Sequence, residues 1–197
     1  MNIPARAVTR DVDPLFVERW SPRAFDGSSI PQEDLDTMFE AAGWAPSAFN
    51  YQPWRFLYAR REGADWGRFL ELLLPFNQSW VQNASALVYI LSDTLMVRES
   101  VEDAKPLRSH SFDAGAAWAL LALQATRLGY HSHGMTGVDF DKAREELAVP
   151  QRFHIEAAVA IGRIADKSVL PEALQAREHP SGRRDISEFA HAGNFAG

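Results

Sequence analysis

The chain has 197 residues, 46% hydrophobic and 23% charged, the balance of an ordinary globular protein, which argues for one domain over 1–197 with a sizeable core. Its 20 basic residues against 26 acidic ones give a formal net charge of -6, which excludes a sequence-independent grip on nucleic acid or an anionic membrane and leaves small molecules or a second copy as partners. There is no cysteine, so disulfides, thiol nucleophiles, Cys-ligated zinc and iron–sulfur clusters are excluded, and any redox chemistry must come from a bound cofactor.

Met1 to Thr9 carries Arg6 but no apolar signal-peptide core, and Asp11 and Asp13 follow at once, the pattern of a cytoplasmic protein. Asp13 to Trp20 reads as a brief helix, after which Ser21-Pro22-Arg23 must be extended because proline disfavours helical geometry before it. Pro31, Glu33, Asp34 and Asp36 open a second helix whose Leu35, Met38, Phe39 and Ala42 make an amphipathic stripe ending near Gly43 to Pro46. Arg55 to Arg61 is a first strand candidate, and Ala64 to Leu74 a helix cut by Pro75. Ala86 to Leu91 is a stronger strand. Ser92 to Arg108, charged and without a period, reads as a surface loop or lid.

Ser111 to Leu128 is apolar almost all round, the mark of a helix buried on most sides, either central to the domain or a dimer seam. Its longest small or apolar run, Ala114 to Leu123, is about half of what a bilayer-spanning helix needs. Gly129 ends the helix as a C-cap. His131 and His133 fall in a presumed strand, Asp139 caps a helix over Phe140 to Ala148, and Ile155 to Ile164 is a third strong strand. Helices flanking a sheet of about four or five strands make the class α+β or three-layer α/β, with the polar tail from Lys167 to Gly197 a candidate source of the last strand.

Four segments carry candidate chemistry. In extended backbone, residues two apart share a face, so Arg19, Ser21 and Arg23 can converge on a phosphate; a surface turn with its arginines paired to Asp26 or other acids is the alternative. Ala45 to Trp54 offers Ser47, Asn50 and Gln52 to the edge of a flat heterocycle, or is a rigid turn into the first strand. Gly134-Met135-Thr136-Gly137 allows close backbone approach, or is a plain turn. Ser181-Gly182-Arg183-Arg184-Asp185 can reach back to a phosphate, or is a charged surface loop. His110, His131 and His133 have no carboxylate at a diagnostic offset, so no metal site is assigned. A G-x-G-x-x-G turn is absent, so nicotinamide would not bind in the Rossmann manner.

Arginine-x-serine-x-arginine, followed by a helix leading into A-P-S-A-F-N-Y-Q-P-W-R-F, resembles the FMN-dependent nitroreductase family. The likeness continues through Ser111-Phe112-Asp113-Ala114-Gly115-Ala116-Ala117, Arg127-Leu128-Gly129-Tyr130, Gly134 to Gly137 and Ala160-Ile161-Gly162-Arg163, covering about Val17 to Phe189. It implies an α+β, three-layer α/β/α fold with a central, mainly antiparallel sheet, built as an intertwined homodimer with FMN at the interface and the Ser111 to Leu128 helix at the seam. By the same resemblance Arg19, Trp20, Ser21 and Arg23 hold the phosphate and ribityl end with a tail arginine, Arg184 first and Arg183 beside it. Pro46, Ser47, Ala48, Asn50 and Gln52 approach the isoalloxazine from the partner, and Met135, Thr136 and Gly137 lie near flavin N5.

The implied activity is ping-pong. NADH or NADPH reduces the flavin at N5, and the flavin reduces a nitroaromatic, quinone or enone, with no dedicated acid–base residue because the cofactor carries the chemistry. Alternatives are flavin-dependent oxidation or dehalogenation of a small metabolite, and a non-catalytic FMN-binding carrier or sensor. Trp20, Ala48 and the Met135-Thr136 pair depart from frequent family choices, and the Ser92 to Arg108 stretch is the candidate flavin cover.

Overall fold

Eight consecutive buried residues, Ala86–Asp93, form strand β2, whose two faces both carry core, so helices must cover both sides of the sheet. The computed structural model describes residue 6, residues 8–97 and residues 103–195. β2 pairs antiparallel with β1 (Trp54–Arg60) and with β6 (Phe153–Gly162), and β6 pairs antiparallel with β5 (His131–Met135), giving the order β1-β2-β6-β5.

On one face Ala86, Val88, Ile90, Val159 and Ile161 pack against α2 (Gln32–Gly43) and α5 (His110–Arg127) through Leu35, Met38, Ala117 and Leu121. On the other, Leu87, Tyr89, Leu91, Ala158 and Ala160 meet Phe69 of α3 (Trp66–Leu70), Trp80 of α4 (Pro75–Val81), Ala143 of α6 (Phe140–Glu146) and Leu174 of α7 (Glu172–Gln175). The result is the expected α+β, three-layer α/β/α arrangement. The α2 stripe falls inward as its period requires. Helix α1 (Pro14–Glu18) has its Asp13 side chain accepting from the Leu15 N–H, a normal N-cap. Gly129, at φ +79°, turns the chain out of α5 in the left-handed region that favours glycine.

Several local expectations change. Pro75 starts a helix instead of ending one: it sits in the first turn of α4, where its missing N–H costs nothing. The Ala64 to Leu74 helix therefore shrinks to α3. The Ser92 to Arg108 stretch is not a plain loop, since Ser92 and Asp93 finish β2 and β3 (Leu95–Met96) pairs with β4 (Lys105–Pro106). Residues 98–102 of the expected flavin cover lie outside the described residues, as do residues 1–5 of the N-terminal arm and the last two of the tail. Among the described residues the tail adds no strand to the sheet; Ile164 makes only an isolated bridge to Phe25. Gly134 and Met135 end strand β5, so only Thr136 and Gly137 form the turn.

Helix α5 also differs from a helix buried on most sides. Its inner face, Asp113, Ala114, Ala117, Leu121, Ala122 and Ala125, is buried, but Phe112, Gly115 and Ala119 on the other side are exposed. No described helix is long and apolar enough to cross a membrane.

Candidate functional site

Arg19 leaves α1 in extended geometry (φ -62°, ψ 122°), so the next residues alternate as the sequence requires. Arg19, Trp20, Ser21 and Arg23 line one cavity of about 430 Å³ with Arg6, His133, Arg177 and Arg183. That volume is in the range of small-molecule sites. Arg19 Nη1 donates to Ser21 Oγ at 3.4 Å, and Arg6 Nη1 donates to the Arg19 carbonyl at 2.9 Å, which ties both side chains to the Arg19–Ser21 segment. Glu178 Oε1 accepts from the Arg23 and Ala24 N–H groups at 2.7 and 2.8 Å, tying the tail to the Arg19–Arg23 segment.

The electrostatics show that this cavity is short of negative charge. Burial, then repulsion from Arg183 and Arg19, lowers the pKa of Arg6; burial and Arg183 lower that of Arg19. Burial lowers Arg23 as well, against a partial offset from Glu178. The buried Arg6 Nε, Arg23 Nε and Trp20 Nε1 have no hydrogen-bond partner. A phosphate placed among them would supply acceptors to these donors and relieve the mutual repulsion. The donor set thus fits the anionic end of a nucleotide.

Behind the arginines lie two imidazoles kept neutral. Burial, with Arg19 nearby, lowers His131 to about 4; burial, Arg23 and Arg19 lower His133 to about 4 against opposing hydrogen bonds from the Pro22 and Ser21 backbone. His133 Nδ1 is 2.9 Å from the Pro22 carbonyl, so the neutral ring carries its proton on Nδ1. Trp20 meets the His131 ring edge-on at a centroid distance of 6.3 Å.

The basic cavity continues. A second cavity, of about 420 Å³, shares Arg19 and Ser21 with the first and adds Phe16, Trp118, Ala119, Ala122, Leu123 and Gly134. A third, of about 130 Å³ and too small to hold a cofactor alone, shares Trp118 and Gly134 and ends at Ser111, Glu156 and Ala157. The three form a trench with a cationic end, an apolar middle along the edge strand β5, and a carboxylate at the far end. At the β5 exit, Asn77 Nδ2 donates to the Gly137 carbonyl at 3.1 Å, and a Cβ on Gly137 would stand 2.2 Å from that nitrogen. A side chain at position 137 would have to displace the Asn77 amide. Met135 is buried beside it, while Thr136 is exposed.

The Ser47–Gln52 corner sits elsewhere. Ser47 Oγ accepts from the Gln52 N–H at 3.0 Å, Gln52 Nε2 donates to Asn50 Oδ1 at 3.1 Å, and the Ala48 N–H donates to Asp113 Oδ2 at 3.2 Å near the start of α5. Phe49, Asn50 and Gln52 all have φ between +53° and +55°, left-handed backbone in three non-glycine residues of four. Such conformations cost of order 1 kcal/mol or more each and concentrate at functional sites. Pro46 is exposed and Ala48 half-buried on this corner.

Of the expected site residues, the described cavity therefore gathers Arg19, Trp20, Ser21, Arg23 and Arg183. Arg184 is exposed and not in its lining, and Ser47, Asn50 and Gln52 are not brought to it within one chain. Sequence reasoning missed Arg177, His133, Asn77, Trp118 and Glu156 as site neighbours. Asn77 carried no separate signal, being the first of three consecutive polar residues, Asn77-Gln78-Ser79, before Trp80 and Val81.

An α+β domain with a cationic trench along an edge strand has the charge and size of a small-molecule site. Comparison gives the family: the Nitroreductase family profile matches residues 17–75 and 70–163, and the chain belongs to that family. A solved structure described as an oxidoreductase containing FMN is similar at 51% identity and TM-score 0.95, covering 100% of this chain and 99% of that one. The CLA biosynthesis enone reductase of Lactiplantibacillus plantarum is 27% identical over 193 residues, 81% of this chain and 88% of the relative. An NADH dehydrogenase of Thermus thermophilus is 30% identical over 186 residues, 80% of this chain and 88% of that protein.

Proposed function

We propose that the chain is a single-domain FMN oxidoreductase that takes electrons from NADH or NADPH and passes them to a nitroaromatic, quinone or enone acceptor. The observation that carries the reading is the trench, whose arginines are buried against one another at one end while the middle is lined mostly by apolar residues. FMN held there would supply hydride exchange at N5, first with the nicotinamide and then with the acceptor. Arg19, Ser21, Arg23 and Arg183 would bind the phosphate and ribityl end, with Arg6 and Arg177 adding charge. Trp118 and Gly134 would bound the space along β5, and the Thr136–Gly137 turn, positioned by Asn77, would offer its backbone to the ring edge.

The proposed assembly is a homodimer with FMN at the interface, in which Ser47, Asn50 and Gln52 come from the partner. Support comes from large apolar side chains at the surface: Trp44 is 81% and Phe112 83% exposed, and they flank the Ala48–Asp113 contact. Exposure of this kind marks an interaction surface. Relatives named as an enone reductase and an NADH dehydrogenase support the two half-reactions.

The test is the visible spectrum of freshly purified protein, followed by anaerobic addition of NADH and NADPH separately. A yellow spectrum that bleaches within seconds supports the reading and identifies the donor. Yellow protein that does not bleach points to oxidation or dehalogenation of a bound metabolite, or to a carrier or sensor. Colourless protein that takes up no FMN refutes the assignment.

A further inference from the structure

The far end of the trench holds a cluster that neither the anion cradle nor the ring-edge residues use. Strands β2 and β6 pair Ile90 with Ala157 and then Leu91 with Ile155, so Glu156 is an extra residue in the ladder. A bulge re-aims side chains, and here Glu156 and Ala157 both line the small cavity beside Ser111, Trp118 and Gly134. Glu156 Oε1 accepts from Ser111 Oγ at 2.8 Å and from the buried Ser92 Oγ. His110 Nδ1 lies 2.7 Å from Ser92 Oγ, 3.2 Å from Ser111 Oγ and 3.4 Å from Glu156 Oε1.

Both hydroxyl protons are committed to Glu156, so the contact of His110 Nδ1 with these oxygens requires the proton on Nδ1. On the other side His154 Nε2 is 3.9 Å from Glu156 Oε2, and the two imidazole centroids are 6.2 Å apart. The His154 side chain is 57% exposed against 20% for Glu156 and 23% for His110, so the cluster runs from solvent to the cavity wall. Among the described residues no group of three or more His, Asp and Glu could hold a metal ion. What the arrangement can do is store and move a proton.

We propose that Ser111, backed by His110 and Glu156, donates a proton to the acceptor, and that the acceptor class is therefore an α,β-unsaturated carbonyl compound. The assignment rests on the flavin reading above and adds to it a protein acid that the sequence expectation lacks. Quinones and nitro groups take their protons on oxygen, which exchanges with water unaided, whereas protonation at carbon is slow and gains from a positioned acid. Bound reduced flavin would supply the hydride for the new C–H bond at the β-carbon, with the C=C π pair moving to the carbonyl as an enolate. The Ser111 hydroxyl would turn its proton from Glu156 Oε1 to the α-carbon and protonate it, while the His110 imidazolium returns a proton to Ser111 Oγ through Nδ1. His110 is recharged from solvent by way of His154 and Glu156. Two electrons and one proton come from the reduced flavin and one proton from water, and the product is the saturated carbonyl compound.

The experiment photoreduces FMN-loaded protein and mixes it in a stopped-flow instrument with 2-cyclohexen-1-one or with 1,4-benzoquinone. Ser111→Ala, a change at an exposed position, is expected to lower the enone-to-quinone rate ratio by about 100-fold or more, the scale of general acid catalysis. Glu156→Gln should lower it in the same direction. A purely structural cluster would change the melting temperature and leave the ratio at the wild-type value, which overturns the proposal. A second readout needs no turnover: the histidine ring ¹⁵N spectrum should place a proton on His110 Nδ1, and a proton on Nε2 alone overturns the relay. Protein that takes up no FMN defeats the flavin reading and the donor role together, whereas FMN-loaded variants with an unchanged ratio defeat only the donor role.

Discussion

Acid should destabilise this protein through His131 and His133 before most carboxylates titrate. Both rings have an ordinary value of 6.5 and are lowered to about 4 by burial and by the neighbouring arginines. The sign follows from proton counting. Above pH 6.5 the rings are neutral in the folded and unfolded chains, so stability is full. As pH falls from 6.5 toward 4 the unfolded chain takes up protons that the folded one refuses, and stability is lost; below about 4 the slope from these rings ends. A span of about 2.5 units at about 1.4 kcal/mol per unit sets a ceiling of about 3 kcal/mol per ring, and partial solvent access reduces the working figure to roughly 1.5–2 kcal/mol. The assay is urea unfolding of wild type and His133→Gln at about pH 7 and about pH 4.5, with the m-value checked for constancy. The wild type should lose roughly 1.5–2 kcal/mol more than the variant over that interval. Parallel losses in the two proteins would refute the claim that His133 is held neutral by its surroundings.

Arg19→Ala should weaken FMN by roughly 1.5–3 kcal/mol, the value of a hydrogen bond to a charged group, in a flavin titration of the apoprotein. Unchanged affinity would remove Arg19 from the phosphate assignment. Asn50→Ala should shift the flavin reduction potential while sparing the melting temperature; an equal melting loss in apo and holo protein would make the corner a structural one. Gly137→Ala places a methyl 2.2 Å from Asn77 Nδ2 and must push that amide off the Gly137 carbonyl, at a cost of about 1–3 kcal/mol in thermal unfolding. Wild-type stability in that variant would show that the Asn77 contact is dispensable. Ala119→Arg, on the exposed apolar side of α5, should convert a dimer to monomers in sedimentation, and a persistent dimer would move the seam elsewhere.

What was legible in the sequence is what local pattern dictates. β2 is apolar on both faces and long enough to declare itself, and α2 shows its stripe because one face packs on the sheet and the other meets water. Pro75 misleads because a proline can follow one helix or open the next, and here α3 has already ended at Leu70 while Pro75 opens α4. β3 and β4 have two residues each, too few for any period. The β6 bulge is invisible for a related reason: Glu156 belongs to an apolar strand, and only the register against Ile90 and Leu91 reveals it as the extra residue.

The site divides along the same line. Arg19, Ser21 and Arg23 could be grouped because alternation in extended chain is a local rule, whereas Arg6, Arg177 and Arg183 join them through the tertiary fold, with Glu178 as the tie between the tail and that segment. Choosing between Arg183 and Arg184 needed the direction of one exposed backbone, which composition does not encode. The Ser47–Gln52 corner poses the deeper problem. It is anchored at Asp113, while Arg19 and Ser21 face Ala119 and Ala122 on the same helix. Six to nine residues at 1.5 Å of rise separate the two places by roughly 9–14 Å along α5. None of the three left-handed residues Phe49, Asn50 and Gln52 lines the cationic cavity of its own chain. A two-fold axis crossing α5 exchanges the two ends of the helix between subunits and would bring the partner's corner to the trench. The same packing would cover Phe112 and Ala119, so one assembly would account for both the strained corner and the exposed apolar side of α5.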